Sequence, residues 1–249
     1  MNATLTTAHE LCRVLEEDPG LAEAIPEERR GRAVAECLVR QVTMPVGRWS
    51  AAPGATSHSG VGLLVLDGLL VRRVGVDGRF GAELLGEGDL LRPWEGEDEA
   101  PTLTLRTGWR VLQTARLAVL DDAFTAHLAD YPELAGRLVA RAIGRSRNAI
   151  VNMAIVHQAR VDVRLHMIFW HLAARWGRVG SEGVIVPLAL THAVLAELAA
   201  ARRPTVTSAL TVLAKQDLVR PIEAGWLLTG DPPGNGYELD ARVGATLAG

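Results

Sequence analysis

The chain has 249 residues, of which 48% are hydrophobic and 22% charged, a composition that can bury a sizeable core and is unlike that of disordered proteins. Its length favours two domains. Apolar runs such as GVGLLVLDGLL are interrupted by Asp67 and by glycines well short of the roughly 20 residues of a membrane span, so we expect a soluble protein with no membrane partner.

The net charge of −3 is unevenly distributed along the chain. Residues 1–136 contain 13 arginines and 21 acidic residues, a balance of −8, whereas residues 137–249 contain 13 basic and 8 acidic residues, a balance of +5. A basic C-terminal half points weakly to a polyanionic partner, although chance variation among solvated faces gives the same balance. The N-terminus has no basic start followed by an apolar stretch, so the cytoplasm is the expected location.

The N-terminal half contains a predicted helical segment followed by a predicted β segment. Residues 4–39 are predicted to be helical, with Pro26 before an acidic first turn and an apolar face formed by Ala33, Val34, Cys37 and Leu38. From Val42 to Val119, short apolar runs separated by glycines predict an antiparallel β-barrel or roll. Asp77-Gly78 predicts a hairpin, because a type I′ turn needs positive φ at both central residues.

A second helical stretch runs from about Asp121, where two aspartates are expected to cap a helix, to about Arg175. It contains an apolar stripe with heptad spacing, flanked by Arg137, Arg141, Arg145 and Arg147. The stripe favours the seam of a parallel dimer, while a single helix lying on its own core remains open. Its members are Val139, Ile143, Ser146, Ile150, Met153 and His157.

The segment THAVLAELAAARRPTVTSALTVLAKQDLV predicts two short helices separated by a three-residue break. Thr191 is a natural N-cap for the first, and Pro204 suits the first turn of the second. The buried faces are Val194, Leu195 and Leu198 on the first helix, and Val206, Leu210 and Leu213 on the second. LVRPIEAGWLL then predicts two strands around Ala224-Gly225, which completes a winged helix-turn-helix.

In such a unit the exposed side of the second helix enters the major groove of DNA. Arginine can pair with guanine through two hydrogen bonds, and hydroxyls near a helix N-terminus can bond phosphate oxygens. The alternative is a helix that only packs, although Ser and Thr are poor helix formers. The predicted DNA-binding residues are Arg202, Arg203, Thr205, Thr207, Ser208 and Thr211.

These motifs, together with LLVLDGLLVRRV and GRFGAELLGEGDLL, resemble the Crp/Fnr superfamily of bacterial transcription regulators from about Leu15 to Gly230. The resemblance implies an α+β fold: an antiparallel, jelly-roll-like β-roll of the cyclic-nucleotide-binding type with flanking helices (1–127), a long dimerisation helix (128–160) and a winged helix-turn-helix domain (161–249). It implies a homodimer on a palindromic operator in double-stranded DNA, with RNA polymerase and a small-molecule effector as further partners. By this resemblance Arg203 reads a guanine and Thr205 contacts a phosphate.

The helix-turn-helix departs from the family pattern at three positions. Ala200 replaces the usual turn glycine, which makes a positive φ there more costly. Pro204 and Ser208 stand where the best-known members carry a glutamate and a second arginine that read bases. A different operator is therefore expected.

The effector site departs further. Pro93 and Trp94 replace an expected Gly-Glu pair, and the loop that follows carries four carboxylates, with no arginine before Arg106. Since a phosphate site needs donors and positive potential, we expect neither cyclic AMP nor cyclic GMP to change DNA affinity, and we expect Arg92 to be solvated. The carboxylates are Glu95, Glu97, Asp98 and Glu99, and a different pocket would use Leu84, Leu91, Arg92, Trp94 and Arg106.

No catalytic, metal or cofactor site is predicted, and the chain is not expected to be an enzyme. Its single lysine, Lys215, is not in a Walker loop, and no GxGxxG or GxSxG motif occurs. His166 and His171 fall on different helix faces, His58 lies in a predicted surface loop, and Cys12 and Cys37 are expected to be buried. The second hypothesis is a small-molecule-binding or protein-docking module with a vestigial helix-turn-helix, which would lack salt-dependent binding to duplex DNA.

Overall fold

The structure is a computed structural model that describes residues 6–49, 60–93 and 105–233. The chain divides into two compact units, Met1–Val151 and Asn152–Gly249. Within the described ranges, no helix is both long and apolar enough to cross a membrane.

The N-terminal unit is an antiparallel sheet with helices on either side of it in sequence. Its main strand order is β1-β2-β7-β4-β5, with β3 paired to β7 and β6 paired to β4. The elements are β1 (Thr6–Arg13), α1 (Val14–Glu17), α2 (Pro19–Ala22), α3 (Glu27–Glu36), β2 (Leu38–Met44), β3 (Gly47–Trp49), β4 (Gly62–Val76), β5 (Arg79–Leu85), β6 (Leu90–Leu91), β7 (Leu105–Leu120), α4 (Asp122–Asp130) and α5 (Pro132–Val156), which continues into the second unit.

The prediction of a helical segment over residues 4–39 is wrong at both ends. β1 occupies Thr6–Arg13 because it pairs with β2, and this pairing overrides the local helical pattern. Leu38 is an exposed strand residue that pairs with Arg13. Helix α3 does follow Pro26, with two glutamates in its first turn and Ala33 fully buried.

The predicted β-roll is confirmed, and its hairpin has the expected turn. Val76 pairs with Arg79, and the two residues between them, Asp77 and Gly78, have φ angles of 48° and 76°. Of the two aspartates expected to cap α4, Asp121 does so by accepting hydrogen bonds from the backbone N–H groups of Ala123 and Phe124, whereas Asp122 is the first residue of the helix.

The interior of the roll is packed with large side chains. Trp49 and Trp109 meet with ring centroids 5.5 Å apart, and both are almost fully buried. Around them lie Val42, Met44, Leu63, Val65, Leu70, Leu85, Leu91, Val111, Ala115, Leu117 and Val119.

Three arginines on α5 fasten this helix to the rest of the N-terminal unit. Arg137 Nε donates to the carbonyl oxygen of Gly20 at 3.0 Å, and Arg141 forms a two-pronged ion pair with Asp18, one bond measuring 2.8 Å. Arg145 donates to Glu83 Oε1 and to the carbonyl oxygen of Leu90, each at 2.6 Å. The arginines are four residues apart, so they follow one side of the helix.

Asp18 is the most buried carboxylate of this set, with 8% of its side chain exposed. It also caps α2 by accepting the N–H of Leu21 at 3.1 Å. Glu83 is also largely buried, with 15% of its side chain exposed. Both Arg145 and Arg72 Nε lie 2.6 Å from its Oε1. These two carboxylates therefore hold α5 against the start of α2 and against β5 by charge-assisted hydrogen bonds.

The second unit is a small mixed domain around Phe169 and Trp226, whose ring centroids are 4.9 Å apart. Its sheet has the order β10-β11-β9-β8, in which β8 and β9 were not expected from the sequence. The elements are α6 (Val161–Trp176), β8 (Arg178–Val179), β9 (Val184–Val186), α7 (His192–Leu198), α8 (Arg203–Lys215), β10 (Val219–Ile222) and β11 (Gly225–Leu228).

Cys37 is buried as predicted, and burial raises the pKa of its thiol to about 11. Cys12 is only partly buried, and burial again raises the pKa of its thiol. Both cysteines are free.

We expect Arg141→Ala to lower the free energy of unfolding by about 3 kcal/mol, because it leaves the Asp18 carboxylate buried without its partner. Urea unfolding measures this loss. The control is Arg147→Ala, which removes an exposed arginine from the same helix and should change the free energy of unfolding by less than about 0.5 kcal/mol. Equal effects of the two substitutions would show that the Asp18 pair contributes nothing specific.

Candidate nucleic-acid interface

Helices α7 and α8 form the helix-turn-helix that the sequence predicts. Thr191 caps α7 by accepting the N–H of Val194 at 3.3 Å, and Pro204 lies in the first turn of α8. The predicted apolar faces are buried: Val194, Leu195 and Leu198 on α7, and Val206, Leu210 and Leu213 on α8.

The turn between the two helices is a Schellman motif built on an alanine. Ala201 N donates to the carbonyl oxygen of Ala196 at 2.9 Å, and Ala200 N donates to that of Glu197 at 3.3 Å. Ala200 has a φ of 47°, in the left-handed region that favours glycine. Arg164 on α6 braces this corner by donating to the carbonyl oxygen of Ala199 at 3.1 Å.

All six predicted DNA-binding residues are exposed, and five of them lie on α8 with Arg202 as its N-cap. No acidic residue occurs in the first turn of α8, and Lys215 lies in its last turn. The helix therefore presents positive charge at both ends of an exposed face. The six are Arg202, Arg203, Thr205, Thr207, Ser208 and Thr211.

Three hydroxyl groups on this face donate hydrogen bonds back into the helix. Thr207 donates to the carbonyl oxygen of Arg203 at 3.2 Å, Ser208 to that of Pro204 at 3.2 Å, and Thr211 to that of Thr207 at 3.0 Å. Since phosphate oxygens only accept hydrogen bonds, these hydroxyls are not oriented as phosphate donors. Outward they offer acceptor oxygens and, on the threonines, methyl groups.

His192, the first residue of α7, joins this face although the sequence analysis did not single it out. Its Nδ1 lies 2.9 Å from Thr207 Oγ1. The available signal was its place directly after the N-cap Thr191. No spacing rule links residues 192 and 207, so their contact depends on how the two helices pack.

The predicted wing is the hairpin of β10 and β11, with Ile222 paired to Gly225. Arg220 on β10 is tied to the loop between β8 and β9 by an ion pair with Glu182 at 2.6 Å. Through the pairing of β11 with β9, the hairpin is part of the four-stranded sheet of this unit.

The heptad stripe on α5 is exposed. Val139, Ile143, Ile150 and Met153 each keep 58–60% of their surface accessible, Ser146 is also exposed, and His157 follows the end of the helix. The alternative, in which the stripe lies on its own core, does not describe this chain. Arg137, Arg141 and Arg145 bond instead to residues of the N-terminal unit on another side of the helix, so these three do not flank a seam.

Among the predicted effector residues that the structure describes, Leu84 and Leu91 lie on different faces of the roll. Leu91 is buried in the roll interior together with Leu85, whereas Leu84 alternates to the other face of β5, as the two-residue period of a strand requires. Arg92 and Arg106 are both exposed. Trp94 and the carboxylates of Glu95, Glu97, Asp98 and Glu99 lie outside the described residues, as does His58.

The surroundings of the two histidines of α6, His166 and His171, indicate a structural role. Trp170 Nε1 donates to His166 Nε2 at 3.0 Å, and burial lowers the pKa of both His166 and His171. Among the described residues, no group of three or more His, Cys, Asp or Glu side chains could hold a metal ion.

Residues 163–232 match the model of the Crp-like helix-turn-helix domain. In fold, the chain is similar to a cyclic-nucleotide-binding-domain protein from Listeria monocytogenes, with a TM-score of 0.63 and 12% identity over 86% of this chain and 96% of that one. It is also similar to a CooA variant from Carboxydothermus hydrogenoformans, with a TM-score of 0.59 and 15% identity over 93% and 96% of the two chains.

A third similar structure is a transcriptional regulator of the CRP/FNR family from Thermus thermophilus, with a TM-score of 0.51 and 20% identity over 76% of this chain and 93% of that one. None of the curated protein sequences matches the chain significantly. The likeness to the solved structures shows the fold, and the domain model identifies the helix-turn-helix.

We expect Ala200→Gly to raise the free energy of unfolding by roughly 0.5–1 kcal/mol, because glycine adopts the positive φ without the steric cost that alanine carries. Thermal or urea unfolding measures the gain. The control is Ala193→Gly, an exposed position in the first turn of α7 where φ is not positive, so glycine should instead lower the free energy of unfolding, by up to roughly 1 kcal/mol. A loss at both positions would mean that the left-handed turn is not strained.

Proposed function

We propose that this chain, which has a Crp-like helix-turn-helix domain and the fold of Crp/Fnr regulators, is a homodimeric, sequence-specific transcription regulator that binds a palindromic operator. The observation that carries the proposal is the exposed face of α8, which has two arginines at its start and no acid in its first turn. Its domains are the sensory roll (1–127), the dimerisation helix (128–160) and the DNA-binding domain (161–249).

Positive charge at the start of α8 supports the proposal that this helix enters the major groove. Arg202 and Arg203 are exposed, and guanidinium groups pair with guanine or with phosphates. A regulator of this kind releases counterions on binding, so its affinity for duplex DNA falls steeply with salt. The alternative, a docking module with a vestigial helix-turn-helix, predicts no such slope.

The exposed stripe on α5 supports the homodimer. Four large apolar side chains at heptad spacing are left open to solvent on one side of a helix whose other side is fastened to the roll. A second copy of the helix would cover them. Two α8 helices would then dock in successive major grooves, roughly 34 Å or 10 base pairs apart, which accounts for a palindromic operator.

The roll supports regulation by something other than cyclic AMP bound through the usual phosphate site. Arg92 and Arg106, the residues that could have replaced the missing phosphate ligand, are both exposed, and the interior contains the Trp49–Trp109 pair. The connection between roll and α5 is made by the chain's own carboxylates. We therefore propose that this chain holds its dimerisation helix in place without a cyclic nucleotide and acts on RNA polymerase as a regulator, not as an enzyme.

We expect Arg203→Ala to weaken binding to the preferred operator by about 1–3 kcal/mol and to relax one base position in each half-site. Arg203→Lys is the informative comparison, because lysine keeps the charge but cannot form the two-pronged pair with guanine. It should retain binding to random duplex DNA while losing the preference. Titration of operator and random duplexes at several salt concentrations measures both effects. Equal losses on the two duplexes would make Arg203 a phosphate contact.

We expect Ile150→Glu to produce monomers and to abolish binding to the palindrome, because the carboxylate would be buried against its symmetry mate. Sedimentation equilibrium measures the first effect and DNA titration the second. Asn148→Glu is the matched control: the same side chain is placed on the same turn of α5, but at an exposed position on the side away from the stripe. If the Ile150→Glu variant remained dimeric, the stripe would not be the dimer interface.

A further inference from the structure

One hydroxyl group on the exposed face of α8, that of Thr207, makes two hydrogen-bonding contacts within the protein. Thr207 Oγ1 lies 3.2 Å from the carbonyl oxygen of Arg203 and 2.9 Å from Nδ1 of His192. Thr207 itself is exposed, and His192 is half-buried at the N-terminus of α7. The two contacts hold the oxygen between the helices.

The directions of these hydrogen bonds follow from counting hydrogens. A hydroxyl has one hydrogen, and a carbonyl oxygen can only accept, so the hydroxyl of Thr207 donates to Arg203. The contact with His192 is then a hydrogen bond only when Nδ1–H donates to Oγ1. In this arrangement the imidazole is a donor at Nδ1, and the threonine oxygen both donates and accepts.

The remaining group on the Thr207 side chain is its methyl group. Ser208 and Thr211 also donate back into the helix, to Pro204 and to Thr207, but His192 holds neither of them. Each of these two hydroxyls is held by its bond to the helix alone. Thr207 is thus the hydroxyl on this face whose orientation is fixed by a side chain from the other helix.

We propose that His192 is a positioning residue that fixes Thr207, and that Thr207 reads the 5-methyl group of a thymine in the major groove. The inference depends on the proposed function, since it assigns the base that α8 reads one turn beyond Arg203. Thymine is the base whose major-groove edge carries a methyl group, and apolar contact with a threonine methyl is a favourable way to recognise it. Its hydroxyl hydrogen is already used within α8, so donation to a base would require the bond to Arg203 to break, and the methyl group is the part of the side chain that suits thymine.

The first experiment removes the methyl group from each partner in turn. The operator is selected from random duplexes by the full-length protein, and each thymine is then replaced by deoxyuracil in both half-sites. At one position the replacement should weaken binding roughly fourfold per half-site, the effect of one buried methyl group. With Thr207→Ser, which keeps the hydroxyl and removes the methyl, binding to the unmodified operator should weaken by a similar factor and the same replacement should have no further effect.

Thr211→Ser is the matched control for this experiment. It removes the same methyl group from the next turn of the same face, at a residue that His192 does not contact. The thymine preference assigned to Thr207 should persist in this variant. If Thr211→Ser abolishes it and Thr207→Ser does not, the assignment to Thr207 is wrong.

The second experiment tests the role of His192. His192→Ala releases Oγ1 and should reduce the discrimination between thymine and deoxyuracil at that position to less than roughly twofold. His192→Asn should restore it, because the asparagine amide presents an N–H donor close to the position of Nδ1. Thermal unfolding of both variants shows whether α7 and α8 still pack.

Three results would overturn the inference. One is an operator at which no deoxyuracil replacement changes the affinity of the wild-type protein. Another is a difference in affinity between the thymine and deoxyuracil duplexes that persists in Thr207→Ser. The third is a His192→Ala variant that loses affinity equally for both duplexes, which would make His192 a phosphate contact. Failure of the proposed function is distinct, because in that case the wild-type protein would select no sequence from random duplexes.

Discussion

The ion pairs that α5 makes with Asp18 and Glu83 determine which side of this helix is left free. Asp18 and Glu83 are taken out of water, and a buried carboxylate is tolerated only when it is paired and hydrogen-bonded. Arg141 and Arg145 meet that need from one side of α5. Because the helix cannot turn without breaking both pairs, Ile143 and Ile150 are held on the opposite, exposed side. The ion pairs on one side of α5 thereby fix the direction in which the apolar stripe on its other side faces.

A second constraint acts at the turn between α7 and α8. The chain must reverse within four residues while burying Leu198 and Val206 on either side, and a Schellman turn achieves this with one residue at positive φ. Ala200 occupies that position at a steric cost. The strain is offset by the buried apolar faces and by Arg164, which satisfies the carbonyl oxygen of Ala199. The same turn brings His192 within hydrogen-bond distance of Thr207.

The sequence predicted those features that depend on local spacing. The heptad stripe, the cap at Thr191, Pro204 in the first turn of α8 and the hairpin at Asp77-Gly78 all follow from patterns a few residues long, and the structure contains each of them. Contacts between distant residues were not predictable in this way. Arg141 and Asp18 are 123 residues apart, so local spacing predicts arginines that flank the stripe but not their ion pairs within the N-terminal unit.

Two local predictions failed because a longer-range contact prevailed. β1 has a sequence compatible with a helix, but its pairing with β2 makes it a strand. Leu84 was placed in a pocket on hydrophobicity alone, whereas the register of β5 against β4 pairs it with Val71 and leaves Leu85 in the roll interior. A strand shifted by one residue exchanges its two faces, so composition could not choose between neighbouring leucines.

The chemistry of the α8 face explains why the operator that we propose for this chain should differ from those of Crp/Fnr regulators that read bases with a glutamate and a second arginine. Pro204 has neither a side-chain donor nor a side-chain acceptor, and Ser208 offers an acceptor oxygen because its hydrogen is used by the helix. Charged readout is left to the arginines at the start of the helix. Beyond them the face presents methyl groups and acceptors, which suit the methyl of thymine and the exocyclic amino groups of adenine and cytosine. Guanine offers only acceptors in the major groove, so specificity for it depends on an arginine such as Arg203.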